Sequence, residues 1–140
     1  MDESKVILEH LNKNFQYVYD KNAYGKRDAW YVMKQLPFEG DCEDYSLTYL
    51  YEVSGRSYIK MFWNLIFGGY KIKFCTVRGE GHAVLRYKER YLDNIQKEWC
   101  RKDYLEDKGY DFHKSQYWWN IVAVKLVQGW YYSASKKIRD

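Results

Sequence analysis

Three side chains of this sequence have the types and the order that covalent acyl chemistry needs. Cys42 follows Gly40 and Asp41, His82 comes 40 residues later, and Asp93 lies a further 11 residues on. In such a set the imidazole takes the thiol proton and later returns it to the leaving group, while the carboxylate holds the ring in the correct tautomer. A cysteine at a helix start also meets unpaired N–H groups and a partial positive charge, which lower its pKa and favour the thiolate. The Cys42 N–H is the natural first donor to an oxyanion. Gln35, seven residues upstream, and Trp30, twelve upstream, are candidates for the second.

These groups act together only if the elements that carry them converge. Val6, Ile7, Leu8, Leu11 and Phe15 recur mainly at three- and four-residue intervals and predict an amphipathic helix over Ser4 to Phe15. A second helix is expected over Asp28 to Leu36, ended by Pro37, with a tight turn at Gly40. From Glu43 to Val53, acids in the first turn and Leu47, Leu50 and Tyr51 on one side predict a helix that ends near Ser54 and Gly55. Ser57 to Phe67 fits either a buried helix or a strand, and its eleven-residue length favours helix; Gly68 and Gly69 end it either way. The period then changes to two. Strands are predicted at Lys71 to Arg78, His82 to Tyr87 and Tyr91 to Asn94, forming an antiparallel sheet, and a last strand at Trp119 to Val127. Residues 82 and 93 lie about equally far from the turn at 88 to 90, so His82 and Asp93 are expected to be neighbours. Glu98 to Gln116 has no clear period.

The strings Gly40-Asp41-Cys42-Glu43-Asp44-Tyr45, Gly81-His82-Ala83-Val84-Leu85 and Tyr91-Leu92-Asp93-Asn94, in this order, resemble the bacterial transglutaminase-like cysteine proteinase family of the papain-like superfamily. The likeness spans Trp30 to Ile95. It implies an α+β, papain/transglutaminase-like fold, with the nucleophile at the N-terminus of a central helix packed on an antiparallel sheet. It implies hydrolysis of a peptide bond through a thioester, and carried over by position it makes Cys42 the nucleophile, His82 the base and Asp93 the orienter. The same triad serves cleavage of an isopeptide bond, transglutaminase-type acyl transfer to an amine, or, if silent, a binding or inhibitory protein on the same fold. The chemistry requires no cofactor. Some members of the family bind calcium through acids beside the cysteine, and Asp41, Glu43 and Asp44 occupy those positions. Without a metal, the same acids favour the positive end of the helix by about 0.3 to 1 kcal/mol each. They also oppose ionisation of Cys42, so a thiolate there requires His82 close by as imidazolium.

The remaining composition narrows the class. At 140 residues the chain is expected to be one domain, residues 1–140, and 46% apolar with 20% aromatic residues supplies a packed core. A formal charge of +4, with both signs scattered, points to no nucleic-acid partner, and the tail from Trp130 to Asp140 is read as a solvated terminus despite its aromatic and basic residues. No stretch is long enough to cross a bilayer and Met1 to Phe15 carries acids, so a cytoplasmic protein acting on a protein or peptide substrate is expected. Abundant Tyr and Lys with one proline suit a phage-encoded protein or an AT-rich genome. Three cysteines with no C-x-x-C pair suggest neither a disulfide framework nor a zinc ribbon. Cys75 is expected to pack in its strand and Cys100 to be exposed or half-buried; Trp118, Trp119 and Trp130 are expected in the core or in a groove wall, and His113 at the surface.

Overall fold

A helix whose residues are apolar or small on every side must be surrounded, and the segment after Asp41 is of that kind. In the computed structural model, which describes residues 3–17, 30–34 and 38–139, this helix is the centre of the molecule. The elements run α1 (Glu3–Asn14), β1 (Phe15–Tyr17), β2 (Phe38–Gly40), α2 (Cys42–Val53), α3 (Tyr58–Ile66), β3 (Lys71–Val77), β4 (Glu80–Tyr87), β5 (Arg90–Leu92), β6 (Cys100–Arg101), α4 (Lys102–Asp107), β7 (Tyr110–Tyr117) and α5 (Trp119–Arg139). The chain is a small mixed α+β domain. Its main sheet is antiparallel, in the order β6-β5-β4-β3-β7, and β1 pairs with β2 in a small parallel ladder.

Nine of the twelve residues of α2 are buried. A capping box starts it: the Asp41 carboxylate accepts from the Asp44 N–H, and the Asp44 carboxylate accepts from the Asp41 N–H. Gly55, at φ 73°, turns the chain away after the Ser54 cap. Alternation along the strands divides the sheet between two cores. Ile72, Ala83, Leu85 and Leu92 face α2 in the larger one, while Cys75, Val84, Tyr91, Cys100 and Tyr110 join Leu105 of α4 on the opposite face.

Two tight hairpins fix the register. β3 and β4 join through Arg78 and Gly79, and β4 and β5 through Lys88 and Glu89; all four residues have positive φ, as a two-residue loop with the right twist requires. Tyr87 therefore pairs with Arg90 and Leu85 with Leu92. Asp93 falls one step further, on the same face of the sheet as His82 and diagonal to it rather than directly across. The expected proximity holds, through a shorter turn than the one read from the sequence.

Two expected elements are different in the structure. Trp119 to Val127 is the start of helix α5 and not a strand. Val122, Leu126 and Gly129 are buried while Trp119, Val124 and Val127 are exposed, which is a helical stripe. Seven apolar residues among the nine satisfy both periods. The described part of the expected helix at Asp28 to Leu36, residues 30–34, is non-helical. Its backbone is satisfied from α2 instead: the Tyr31 N–H donates to Asp44 Oδ1 at 2.8 Å and the Met33 N–H to Thr48 Oγ1 at 2.8 Å. On its other side the Trp30 N–H donates to the Lys125 carbonyl of α5 at 3.2 Å. A Cβ on Gly129 would stand 2.2 Å from the Trp30 oxygen, so only glycine permits this approach.

The tail, expected as a solvated terminus, continues α5 to Arg139. Cys75 is buried as expected, but so is Cys100, which packs under α4. Trp118, Trp119 and Trp130 are about half exposed rather than core. The side chain of His113 lies outside the described residues. Among the described residues no helix is long and apolar enough to cross a membrane.

Helical packing of α5 predicts that Val122→Asp and Leu126→Asp each lower unfolding stability by about 2 to 4 kcal/mol in urea titration, as a charge buried in a core does, whereas Val124→Asp stays within about 0.5 kcal/mol. A strand with 122, 124 and 126 on one face would make all three equal.

Candidate active site

Cys42 is the first residue of α2, and the end of that helix docks on β4 through the sulfur itself. The Ala83 N–H donates to Cys42 Sγ at 3.4 Å, which sets the thiol beside the backbone of His82. Both Cys42 and His82 line a cavity of about 520 Å³ at this end of the sheet, with Tyr17, Val77, Asn94 and Ile95 among its walls. The structure thus brings the cysteine and the histidine to one cleft. They share no hydrogen bond; the thiol donates instead to Glu43 Oε2 at 3.2 Å.

His82 and Asp93 are joined directly. His82 Nε2 lies 2.8 Å from Asp93 Oδ2, and both side chains are buried. Asp93 is an acceptor for three donors: His82 and the Tyr110 hydroxyl on Oδ2, and the Gln96 N–H on Oδ1 at 2.8 Å. The Lys97 N–H closes the same turn on the Asp93 carbonyl at 3.0 Å. Burial by itself would raise the pKa of this carboxyl, but the hydrogen bonds from His82, Tyr110 and Gln96 outweigh it and hold it below the usual carboxylate range. An ionised Asp93 accepts the Nε2 proton and so assigns the His82 tautomer. Nδ1 becomes the basic nitrogen, and it has no hydrogen-bond partner among the described residues.

The electrostatics at the sulfur run opposite to the expectation from a helix start. Burial raises the pKa of the Cys42 thiol far above its ordinary value, the charges of Glu43 and Asp41 raise it further, and the Ala83 N–H opposes them only in part. Glu43 is itself pushed up to about 8, first by burial and then by Asp41. This arrangement favours the neutral form of the thiol, against the effect expected from a helix start. The reason is that desolvation and two neighbouring carboxyl groups act at contact range, whereas the helix end contributes only a partial charge.

Of the three acids placed at the calcium positions, Asp41 and Glu43 share a side-chain hydrogen bond. Asp41 Oδ1 caps the Asp44 N–H, and the Asp44 oxygens hold the N–H groups of Tyr31 and Asp41. Glu43 also accepts from the thiol. Among the described residues no three acidic, histidine or cysteine side chains are grouped as a cation requires. Of the second oxyanion candidates, Trp30 is buried in the larger core, away from the cavity walls, with its N–H bound to Lys125, and Gln35 lies outside the described residues.

Two residues at the site carried no sequence signal. Tyr110 comes from the stretch without a clear period, delivered by β7 after a turn at Gly109 (φ 98°), and its ring meets that of His82 edge-on at 5.9 Å. Asn94, which ends one of the three strings, borders the cavity with a buried Oδ1 that has no partner. No known protein-family model matches this chain, and no curated protein matches it in sequence.

The folded-state pKa of Asp93 is below its unfolded value, so its stabilising contribution is complete above the unfolded value and is lost as pH falls through the folded one. Urea midpoints of the wild type are therefore expected to drop on acidification below about pH 4, where free aspartate titrates. Asp93→Asn starts lower at neutral pH and shows a smaller drop. Tyr110→Phe, which removes one of the three donors, falls between them.

Proposed function

We propose that this chain is a cysteine hydrolase of papain/transglutaminase-like arrangement, in which Cys42 attacks a peptide or isopeptide carbonyl with His82 as base and Asp93 as orienter. The observation that carries the reading is the buried pair of His82 Nε2 and Asp93, its Nδ1 left uncommitted beside a cavity that the Cys42 sulfur also borders. Since the resting thiol is neutral, its proton passes to Nδ1 as the S–C bond forms, and no standing thiolate is needed. The carbonyl becomes a tetrahedral oxyanion facing the Cys42 N–H, which as a first-turn group has no intrahelical acceptor. The C–N bond then breaks, the amine leaves with the proton held by His82, and water cleaves the thioester to regenerate the thiol. The unpartnered Asn94 Oδ1 is an acceptor for a substrate N–H entering the cleft. An amine replacing that water would give acyl transfer by the same steps.

The buried thiol and its carboxyl neighbours favour one second reading, a non-catalytic binding protein on this scaffold. Alkylation with a peptidyl chloromethyl ketone, which occupies the cleft as a substrate would, and mass mapping of all three cysteines decides between them. The hydrolase reading expects Cys42 to react at least tenfold faster than Cys75 and Cys100, His82→Ala to abolish that difference, and Glu43→Gln to increase the Cys42 rate several-fold by removing the group that holds the proton. Equal, slow reaction at the three thiols, unchanged by either substitution, would refute it.

A further inference from the structure

Strand pairing sets an unusual number of cations against one another at the end of the sheet away from the cleft. Arg90 of β5 stands directly opposite Arg101 of β6, and like charges in that relation repel. Arg86 lies on β4 four residues beyond His82, roughly 13 Å along the strand. Lys73 is its diagonal neighbour across the β3–β4 ladder. Arg86, Arg90, Arg101 and Lys102 line a cavity of about 470 Å³ whose wall includes the buried Tyr91.

Within this cavity Arg101 is paired with Asp103, while Arg86 is left over. Among the described residues the buried Nε of Arg86 has no hydrogen-bond partner. A buried donor left unpaired is costly, and in a native fold it calls for an acceptor. Lys73 has no ion pair among the described residues, and its pKa is lowered by burial first and then by Arg86, Lys102 and Lys71. The acids of the same cavity, Glu89, Asp103 and Glu106, are exposed on its rim, and only Asp103 is paired, with Arg101 at 3.3 Å.

We propose that this cavity binds the phosphoryl group of a small molecule, with Arg86 at its base and Lys73 and Lys102 beside it. A phosphoryl group supplies what the site lacks: several acceptor oxygens for the guanidinium fork and a charge that turns mutual repulsion into attraction. Arg86 and Lys102 line one concavity beside Tyr91, which suits a compact anion better than a polymer backbone. The site is separate from the cleft of Cys42 and does not depend on the hydrolase reading.

The test is calorimetric titration and thermal denaturation of the full chain with inorganic pyrophosphate, against sodium chloride at equal ionic strength. Pyrophosphate is expected to raise Tm in a concentration-dependent way where chloride does not. Arg86→Gln weakens binding at least tenfold, Arg86→Lys less, and Lys73→Met several-fold. If Arg86→Gln does not fold, Lys73→Met and Lys102→Ala make the same comparison. Binding is unchanged in Cys42→Ala, so this result and that of the alkylation experiment stand apart. The proposal is overturned if pyrophosphate gives no more than chloride, if the substitutions leave its affinity intact, or if a single-stranded oligodeoxynucleotide binds at this site and pyrophosphate does not.

Discussion

The docking of the first turn of α2 on strand β4 is the contact on which the rest of the arrangement depends. A helix buried along nearly its whole length has to be wrapped, and its surroundings are held by its own polar groups as well as by apolar packing. Asp44 and Thr48, one turn apart, pin the extended segment at residues 30–34, and α5 closes over that segment. Asp41 and Asp44 cap each other, and the sulfur of Cys42 takes the Ala83 N–H. Acids that might have served a cation are thereby used to build the helix end. The position of the thiol next to His82 follows from the same contact.

Around Asp93 the fold makes a different kind of commitment. Its carboxylate is buried and would be costly there but for three donors that arrive from three directions: β4, the turn after β5, and β7. Such a hub orients the imidazole without any motion of the backbone. The thiol is treated in the opposite way, desolvated and set beside carboxyl groups. The same end of the sheet thus holds a fixed imidazole and a thiol that keeps its proton tightly.

The two faces of the sheet divide the labour. Toward α2 the strands present Ile72, Ala83, Leu85 and Leu92 and are dry. On the other face one end is closed by α4 over Cys75, Val84 and Tyr91, while the other end carries Arg86. Period-two alternation accounts for both, since each residue pointing away from the central helix must be covered or solvated.

How much of this was legible in the chain depends on the range of the interaction involved. Local signals placed α1, α2, α3 and the hairpins β3–β4 and β4–β5, because apolar spacing and turn residues act within a few positions. The face that Asp93 shares with His82 was not among them: the turn has two residues and not the three read from the sequence, and a change of one reverses parity. Where the deciding partner is distant, the chain alone misled. Residues 30–34 have helical spacing, yet their N–H groups are taken by α2; residues 119–127 suit either period, and the close approach of Gly129 to Trp30 goes with the helix. The Tyr110 hydroxyl that donates to Asp93 and the upward shift of the Cys42 thiol were likewise set by tertiary structure. Hydrogen bonding across the sheet and desolvation depend on what surrounds a group in space, and that information is not carried by neighbours in sequence.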